Sequence, residues 1–325
     1  MPIQDLAFYC KKFAKLRVDR ARGIAPHKPI LLLAVMELIE RGEITQNRIY
    51  PSPGLIAAFL KYWSYLGSEN HHSQMYLPFY HLKGDKFWHL CTKPGLEDIL
   101  SSFKPKSLET LKKVVVYAYM DDELFLLMCD QNSRHTLINT LIDAWFSDKS
   151  DQLPKLFKVD AFQTWQNRLK ESGGTIYRVE DLEDEQQNIV RDAAFRRVVV
   201  SIYEQRCALC RLQVIAPNGQ GIVDGAHIRP FSEFHDDRIV NGLSLCKNHH
   251  WAFDRGWFSI DPDGYRVVVA SGLQEDSPNG AGLKSFHGGA IVLPNRRDYY
   301  PDPVALAWHR QIRSKVTKNF SNANF

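Results

Sequence analysis

Residues 207–260 constrain this chain more than any other segment. Cys207 and Cys210 form a CxxC pair, and Cys246 and His249 repeat that spacing as CxxH. Three thiolates and one imidazole are a common ligand set for tetrahedral Zn²⁺, and with all four positions filled by protein such a site is structural. The spacing therefore predicts a structural zinc site. The alternative is a group of buried thiols without a metal.

A second set of polar residues lies within the same segment. His227 lies in DGAHIRP on a predicted strand, Asn241 precedes an apolar strand, and His250 follows on a helix. Asp254 comes one turn after His250, on the same helix face. A histidine base, a metal ligand and an orienting amide are what metal-assisted phosphodiester hydrolysis requires. The alternative for Asp254 is a residue that braces the turn at Gly256.

The pattern AHIRP, NGLSLCKNHH and FDRG resembles the HNH endonuclease domain of the ββα-metal type found in restriction endonucleases. The resemblance implies that His227 is the general base and that His250 binds a catalytic Mg²⁺ or Mn²⁺. It also implies that Asn241 braces the active-site loop, and that the Cys₃His group carries structural Zn²⁺.

One position departs from this resemblance. Many HNH enzymes carry Asp directly before the base, whereas this chain has Ala226. Asp224 and Asp254 are the candidates for the missing ligand of the catalytic metal. Arg229 is a candidate contact to DNA phosphate, or alternatively a surface arginine.

The N-terminal part has two helical patterns. Residues 3–22 have helical apolar spacing and a basic face, which is typical of a solvated helix surface. The basic residues are Lys11, Lys12, Lys15, Arg17, Arg20 and Arg22. A nearly all-apolar helix then begins near Pro29 and ends at Gly42. His27 and Lys28 lie at its N-terminus, where backbone N–H groups favour an anion, although a plain cap is the alternative.

Aromatic residues, histidines and lysines are mixed in SENHHSQMYLPFYHLKGDKFWHL. Together with HKPILLLAVMEL, this segment resembles the sulfur-recognising domains of restriction enzymes that attack phosphorothioated DNA. That resemblance covers about residues 1–150. It implies that His27 and Lys28 hold the DNA backbone and that Pro78 forms part of a sulfur cavity, with Tyr76 or Leu77 beside it. It also implies that Tyr80 and His81 contact DNA nearby. The family often has Tyr directly before the Pro, whereas this chain has Leu77 there and Tyr76 one position earlier.

The remaining pattern completes an α+β prediction. Residues 95–147 look helical, a long helix runs from about 187 to 205, and GWFSIDPDGYRVVVA predicts a hairpin. We predict a mostly helical DNA-recognition domain with a small β element at 1–150 and a connecting region at 151–186. A ββα-metal domain with structural zinc follows at 187–325.

Composition limits the class of protein. The 325 residues have a formal charge of +4, which permits a polyanionic partner. The chain shows no secretion signal and no apolar run of membrane-spanning length. Cys10, Cys91 and Cys129 are scattered, which is typical of a reducing compartment. We therefore expect a cytoplasmic protein without disulfides or membrane contact.

These predictions favour a modification-dependent restriction endonuclease that binds double-stranded, phosphorothioated DNA and cleaves it through the HNH site. A homodimer is plausible because cleavage of both strands needs two active sites or two visits. One alternative is an HNH enzyme that reads a modified base such as methylcytosine, with Phe79, Tyr80 and Trp88 as pocket walls. Another is a non-catalytic zinc-knuckle DNA-binding protein.

Overall fold

The structure is a computed structural model that describes residues 5–152, 156–217, 219–276 and 282–320. It contains helices and small antiparallel two-stranded sheets, so the predicted α+β class is confirmed. Two compact units divide the chain. Unit 1 comprises Met1–Thr164 with Asp184–Val190, and unit 2 comprises Trp165–Glu183 with Arg191–Phe325.

Unit 1 consists mainly of helices. These are α1 (Leu6–Ala14), α2 (His27–Glu40), α3 (Pro53–Leu66), α4 (Tyr76–His81), α5 (Leu108–Val114), α6 (Asp122–Cys129) and α7 (Gln131–Trp145). Helix α2 is its centre, because every residue from His27 to Ile39 is buried. It packs against α3, α4, α6 and α7. The predicted all-apolar helix is thus confirmed.

A buried carboxylate ties α2 to α3. The side chain of Glu37 on α2 is 3% exposed and accepts hydrogen bonds from Tyr62 (2.5 Å) and Lys61 on α3. Arg41 at the end of α2 donates a third, at 3.0 Å. Because a buried charge is tolerated only when it is paired, this network fixes the two helices against each other.

The prediction that residues 95–147 are helical is wrong at two places. Residues 95–107 contain turns and one short 3-10 helix at Asp98–Ser101. Strand β2 (Val115–Met120) interrupts the helices and pairs antiparallel with β1 (Trp88–Thr92), with Trp88 opposite Met120. The sequence VVYAYM is rich in β-branched and aromatic residues, which favour strands. The pairing with β1 therefore outweighs the helical pattern around it.

The N-terminal helix is shorter than predicted. Helix α1 ends at Ala14, so Arg17 and the arginines after it lie beyond its end. The backbone N–H of Arg17 donates to the Asp85 carboxylate (2.9 Å) instead of continuing the helix. This contact joins residues far apart in sequence, so helical spacing alone does not reveal it.

Helices α8 (Ala161–Ser172) and α9 (Glu185–Ile202) span the points where the chain passes from one unit to the other. Unit 2 then contains α10 (Phe231–Phe234), α11 (Lys247–Asp254) and α12 (Pro303–Phe320). Its strands are β3 (Val223–His227), β4 (Gly242–Cys246), β5 (Phe258–Ile260) and β6 (Val267–Val269). Strands β3 and β4 are antiparallel, and β4 leads directly into α11, as the ββα prediction requires.

Two glycines allow α9 to lie close against the β3–β4 hairpin. A Cβ atom added at Gly225 would come within 2.7 Å of the Arg196 backbone. One added at Gly242 would come within 2.5 Å of Val199 Cγ2. A side chain at either position would force the neighbouring atoms of α9 or of the hairpin to shift. The close approach brings Asp192 and Arg196 on α9 toward the end of the hairpin that carries His227.

The second hairpin of unit 2 is confirmed. Strands β5 and β6 pair antiparallel across the DPDG turn, where the Gly264 N–H donates to Asp261 Oδ2 (3.1 Å). Helix α12 packs against β5, and its His309 stacks on Phe253 with ring centroids 3.7 Å apart. None of the helices in the described ranges combines the length and apolarity needed to cross a membrane.

Candidate metal, nuclease and DNA-recognition sites

The predicted zinc ligands converge. The ligand atoms of Cys207, Cys210, Cys246 and His249 lie within 4.8 Å of one another. His249 Nδ1 is 3.4 Å from the sulfur of Cys207 and 3.3 Å from that of Cys246. Sulfur and nitrogen ligands of one tetrahedral zinc ion would be about 3.6 Å apart, given the usual bond lengths. The donors therefore suit Zn²⁺ in type and in spacing.

The thiols of this group differ in their pKa shifts: burial raises the pKa of Cys210, and the contact with Cys207 raises that of Cys246. Hydrogen bonds from Cys246 and then from His249 lower the pKa of the Cys207 thiol, against the opposing effect of burial. The thiolate is the form that binds a metal. Among the described residues, this is the single cluster in which three or more such side chains bring their ligand atoms together.

A cavity of about 370 Å³ in unit 2 contains the predicted catalytic histidines. His227 comes from the end of β3, and His250 and Asp254 come from α11. Asp192 and Arg196 of α9 complete its polar wall. The structure thus brings His227, His250 and Asp254 to one opening, with two residues that the sequence pattern did not indicate.

His227 is held on two sides. Its Nε2 lies 2.8 Å from Asp237 Oδ1, and its ring stacks on Phe195 with centroids 4.0 Å apart. The other oxygen of Asp237 accepts a hydrogen bond from Arg191, and the Asp237 carboxylate is 1% exposed. Because a carboxylate accepts, His227 Nε2 carries the proton. Its Nδ1 makes no hydrogen bond with a described residue, so that nitrogen remains available to a ligand.

Asn241 supports the loop that follows His227. Its amide accepts from the Arg229 N–H (3.0 Å) and donates to the carbonyl oxygens of Arg229 (3.1 Å) and Asp236 (2.9 Å). Asn241 is fully buried and does not line the cavity. Arg229 does not line it either, since its guanidinium pairs with the buried Asp236 at 2.7 Å.

The two candidate aspartates lie on opposite sides of His250. Asp224 Oδ2 is 3.7 Å from its Nδ1, whereas Asp254 Oδ2 is 3.6 Å from its Nε2. Asp224 also contacts Lys247 (3.1 Å) and Arg196 (3.4 Å), which offset its charge. Burial lowers the pKa of His250, which favours the neutral imidazole that can bind a metal.

A cavity of about 450 Å³ in unit 1 collects five of the predicted DNA contacts. These are His27, Lys28, Leu77, Pro78 and His81. Val18 and Ala25 add to its apolar wall, and Arg17, Asp19 and His71 add polar groups. The cavity is therefore partly apolar and partly basic, with contributions from α2, α4 and the segment after α1.

The charges in this cavity differ from the sequence expectation. The Lys28 ammonium donates to Asp85 at 2.6 Å, and its side chain is 9% exposed, so its charge is already paired. Burial lowers the pKa of His27 and of His81, which favours their neutral forms. Arg17 is exposed and has no ion pair with a described residue. Unlike Lys28, it is therefore free to pair with a bound anion.

Tyr76 and Tyr80 lie outside this cavity. The Tyr76 hydroxyl donates to Gln74 (3.1 Å). Tyr80 is 3% exposed, and its hydroxyl donates to the Leu100 carbonyl (2.8 Å) and to that of Phe103. Tyr80 is therefore a core residue of unit 1.

Each of the two cavities has lining residues within a range that matches a known protein family. Residues 207–261 match the HNH endonuclease family HNH_2, and residues 9–162 match the ScoMcrA-like DNA sulfur-binding domain. One matching solved structure is titled "Modification dependent TagI restriction endonuclease", at 28% identity. That match covers 38% of each chain, and its TM-score of 0.28 is too low to show a shared overall fold. No curated protein matches the chain.

The chain thus contains an HNH endonuclease domain and a DNA sulfur-binding domain, as the sequence predicted. The first match indicates a nuclease domain, and the second indicates a domain that recognises sulfur-modified DNA. HNH nucleases use divalent metals, and the Cys₃His group could hold zinc. DNA is the partner that the N-terminal domain indicates.

Proposed function

We propose that the protein binds duplex DNA through a phosphorothioate linkage and then hydrolyses phosphodiester bonds at its HNH site. The observation that carries the proposal is the pair of cavities, one in each matched domain. The unit 1 cavity offers an apolar wall and a cation, and the unit 2 cavity offers a held histidine and metal ligands. Residues 1–150 are the proposed recognition domain, 151–186 the connection and 187–325 the nuclease domain.

His227 is the proposed general base. With its proton on Nε2, its Nδ1 can accept the proton of a water molecule that attacks phosphorus. Asp237 keeps that tautomer and offsets the positive charge that the imidazole gains, while Phe195 limits the ring's rotation. Asn241 holds the backbone after His227, so it acts as a positioning residue.

His250 and Asp254 are the proposed ligands of a divalent Mg²⁺ or Mn²⁺. When bound, this ion supplies positive charge to the phosphate oxygens during hydrolysis. Asp254 is favoured over Asp224 because it lines the same cavity as His227 and lies one helical turn from His250. Asp224 on the other side of the ring suits a supporting role, in which it orients the imidazole.

Metal binding separates these roles without measuring cleavage. Asp254→Asn removes a proposed ligand, so it should weaken Mn²⁺ binding, measured by titration calorimetry, by more than the roughly 10- to 100-fold that loss of an outer-shell partner costs. Asp224→Asn should have the smaller effect, because it removes a carboxylate outside the cavity. The reverse order would assign the missing ligand to Asp224. Asp263→Asn, in the exposed β5–β6 turn, is the matched control.

Zn²⁺ is the proposed occupant of the Cys₃His group. Cys207 and Cys210 follow α9, Cys246 ends β4, and His249 lies in α11. One ion would therefore join the segment before the hairpin to the helix after it. Because His250 is the next residue after His249, this anchor also fixes the start of the helix that carries the proposed catalytic ligands.

The unit 1 cavity suits a phosphorothioate because sulfur is larger and more polarizable than oxygen and a poorer hydrogen-bond acceptor. Leu77 and Pro78 gain by contact with sulfur, whereas they would remove water from a normal phosphate oxygen at a cost. The linkage keeps its negative charge, which Arg17 can meet. Arg229, Tyr76 and Tyr80 have internal partners and are left out of the proposed contacts.

The alternatives are less well supported. A reader of modified bases needs open aromatic walls, but Phe79, Tyr80 and Trp88 are at most 3% exposed. The Trp88 indole N–H donates to the Phe79 carbonyl at 2.9 Å, as a core residue would. The HNH match argues against a purely structural zinc-knuckle protein. A cytoplasmic location and a homodimer are part of the proposal and rest on the sequence arguments alone.

Binding tests the recognition half directly. His227→Ala protein, which should not cut, is titrated with two duplexes of one sequence, of which one carries a phosphorothioate linkage in each available stereochemistry. We expect tighter binding of at least one modified duplex at moderate salt. Equal affinities for all of them would remove the sulfur assignment while leaving the nuclease assignment open to a separate cleavage assay.

A further inference from the structure

We propose that a basic groove beside the unit 1 cavity binds the backbone phosphates that flank the recognised linkage. The α1 groove is defined by Lys11, Lys12, Lys15, Arg17 and Lys86. The inference rests on the proposed function and extends it, because it assigns a DNA path to four lysines that the sulfur cavity does not use.

The position of the groove favours a ligand shared with the cavity. The groove encloses about 360 Å³, and Arg17 and Gly84 line both openings. An anionic strand that places one linkage in the cavity can therefore continue into the groove without leaving the surface of unit 1. The groove also lies within residues 9–162, which match the DNA sulfur-binding domain.

The charge of the groove is uncompensated. Asp85 is the carboxylate in its lining, and it already accepts from the Lys28 ammonium (2.6 Å) and the Arg17 N–H (2.9 Å). Lys12 donates to the Asp85 backbone carbonyl at 3.5 Å, which leaves its charge unneutralised. Within the described ranges, no acidic side chain forms an ion pair with any of the five groove cations.

The backbone holds one of these cations in an uncommon conformation. Lys86 has a φ of 67° and a ψ of 12°, in the left-handed region that glycine or asparagine adopts more readily. A lysine at this position extends the groove that α1 begins. Five like charges in one groove repel one another unless a polyanion offsets them, and DNA supplies regularly spaced negative charges.

The salt dependence of binding tests this inference. The double variant Lys11→Ala/Lys15→Ala removes two exposed cations and leaves the sulfur cavity intact. Each lost phosphate contact should reduce the slope of log K against log salt by about 0.9. Two contacts correspond to a loss of roughly 60-fold in affinity at 0.1 M salt, disappearing toward 1 M. Modified and unmodified duplexes should lose affinity by the same factor.

Two control variants separate contact from overall charge. Lys104→Ala/Lys106→Ala removes the same charge from exposed positions outside both cavities and should keep nearly the wild-type slope. Lys11→Arg/Lys15→Arg should restore the slope, because the charges return. The inference is overturned if the groove variant keeps the wild-type slope. It is also overturned if the groove variant loses no more affinity for DNA than the control variant does.

The two proposals fail in different ways. If the wild-type protein binds modified and unmodified duplexes equally, the sulfur assignment fails, whichever slope the lysine variants show. If the wild-type protein discriminates and the groove variant keeps its slope, the groove assignment alone fails. Measuring both duplexes with each variant therefore assigns the outcome to one site.

Discussion

The two cavities of this protein handle their polar groups in opposite ways. In unit 2, His227, Asp237 and Arg191 form a chain of buried hydrogen bonds, and Asn241 satisfies three backbone groups. In unit 1, the cavity and the α1 groove leave cations without acidic partners beside an apolar wall. The groups that hold His227 and Asn241 in unit 2 are paired within the chain, whereas the cations of the α1 groove have no acidic partner among the described residues.

This difference matches what each task requires. Hydrolysis depends on a base and metal ligands held in fixed geometry before the substrate arrives. Recognition of a charged backbone gains from groups whose charge is unpaired until the ligand binds. Lys28 is the exception in unit 1, since its pairing with Asp85 makes it part of the scaffold.

Loss of a ligand from the Cys₃His group should lower the stability of unit 2 more than any other change proposed for this protein. Binding energy of structural zinc is folding energy, amounting to about 10–16 kcal/mol in small zinc domains. Cys246→Ser should lose the metal, measured by elemental analysis, and should lower the melting temperature of the protein. Cys91→Ser, a half-buried thiol outside the group, should do neither. A Cys246→Ser protein that melts like the wild type would contradict a structural role.

His227→Ala should abolish most cleavage and leave DNA affinity unchanged. A positioned general base contributes about 10²- to 10⁴-fold to the rate, and His227 belongs to the cavity of unit 2 rather than to that of unit 1. Single-turnover cleavage and equilibrium binding measure the two quantities. His135→Ala, at an exposed position on α7, should change neither. Persistent cleavage by His227→Ala would refute its role as base.

Asp237→Asn should slow cleavage by about 10- to 100-fold, by analogy with loss of the carboxylate that orients a metal-binding histidine. A purely structural role is distinguished by the ¹⁵N chemical shifts of the His227 ring. The wild type should have its proton on Nε2, and the variant should show a changed tautomer population. The account of His227 fails if rate and tautomer are both unchanged. Asp263→Asn is again the control.

Leu77→Ser should reduce discrimination without abolishing binding. Removing an apolar side chain from the cavity wall should cost about 1–2 kcal/mol of the preference for sulfur, or roughly 10-fold. Affinity for the unmodified duplex should stay close to that of the wild type. Leu126→Ser changes a 67% exposed leucine on α6 and should leave the preference intact. If Leu77→Ser keeps the wild-type preference for the modified duplex, Leu77 does not contact the sulfur.

The sequence predicted features that depend on local spacing. CxxC and CxxH fix ligand separations within a few residues, so the Cys₃His group was recognisable before any fold was known. The order strand, strand, helix likewise placed His227 and His250 near each other. Both predictions needed only one short segment and the usual geometry of its elements.

The sequence did not reveal contacts that are made by folding. Asp237 meets His227 and Arg191 only because the loop after β3 and helix α9 come together. The adjacent pair Asp236 and Asp237 within HDDR was an available signal, but nothing in it specifies a partner. The resemblance to sulfur-recognising domains assigns Tyr80 to DNA, and aromatic residues occur both in cores and at nucleic-acid surfaces. The burial of Tyr80 follows from the orientation of α4, which spacing does not give.

Competitive cleavage tests the central claim most directly. Two linear duplexes of one sequence and different end labels, one phosphorothioated on both strands and one unmodified, are mixed with the protein and Mg²⁺ or Mn²⁺. We predict metal-dependent cutting of the modified duplex, little cutting of the other, and loss of both with His227→Ala. Equal cutting of the two duplexes, or no cutting of either with any divalent metal, would contradict the account.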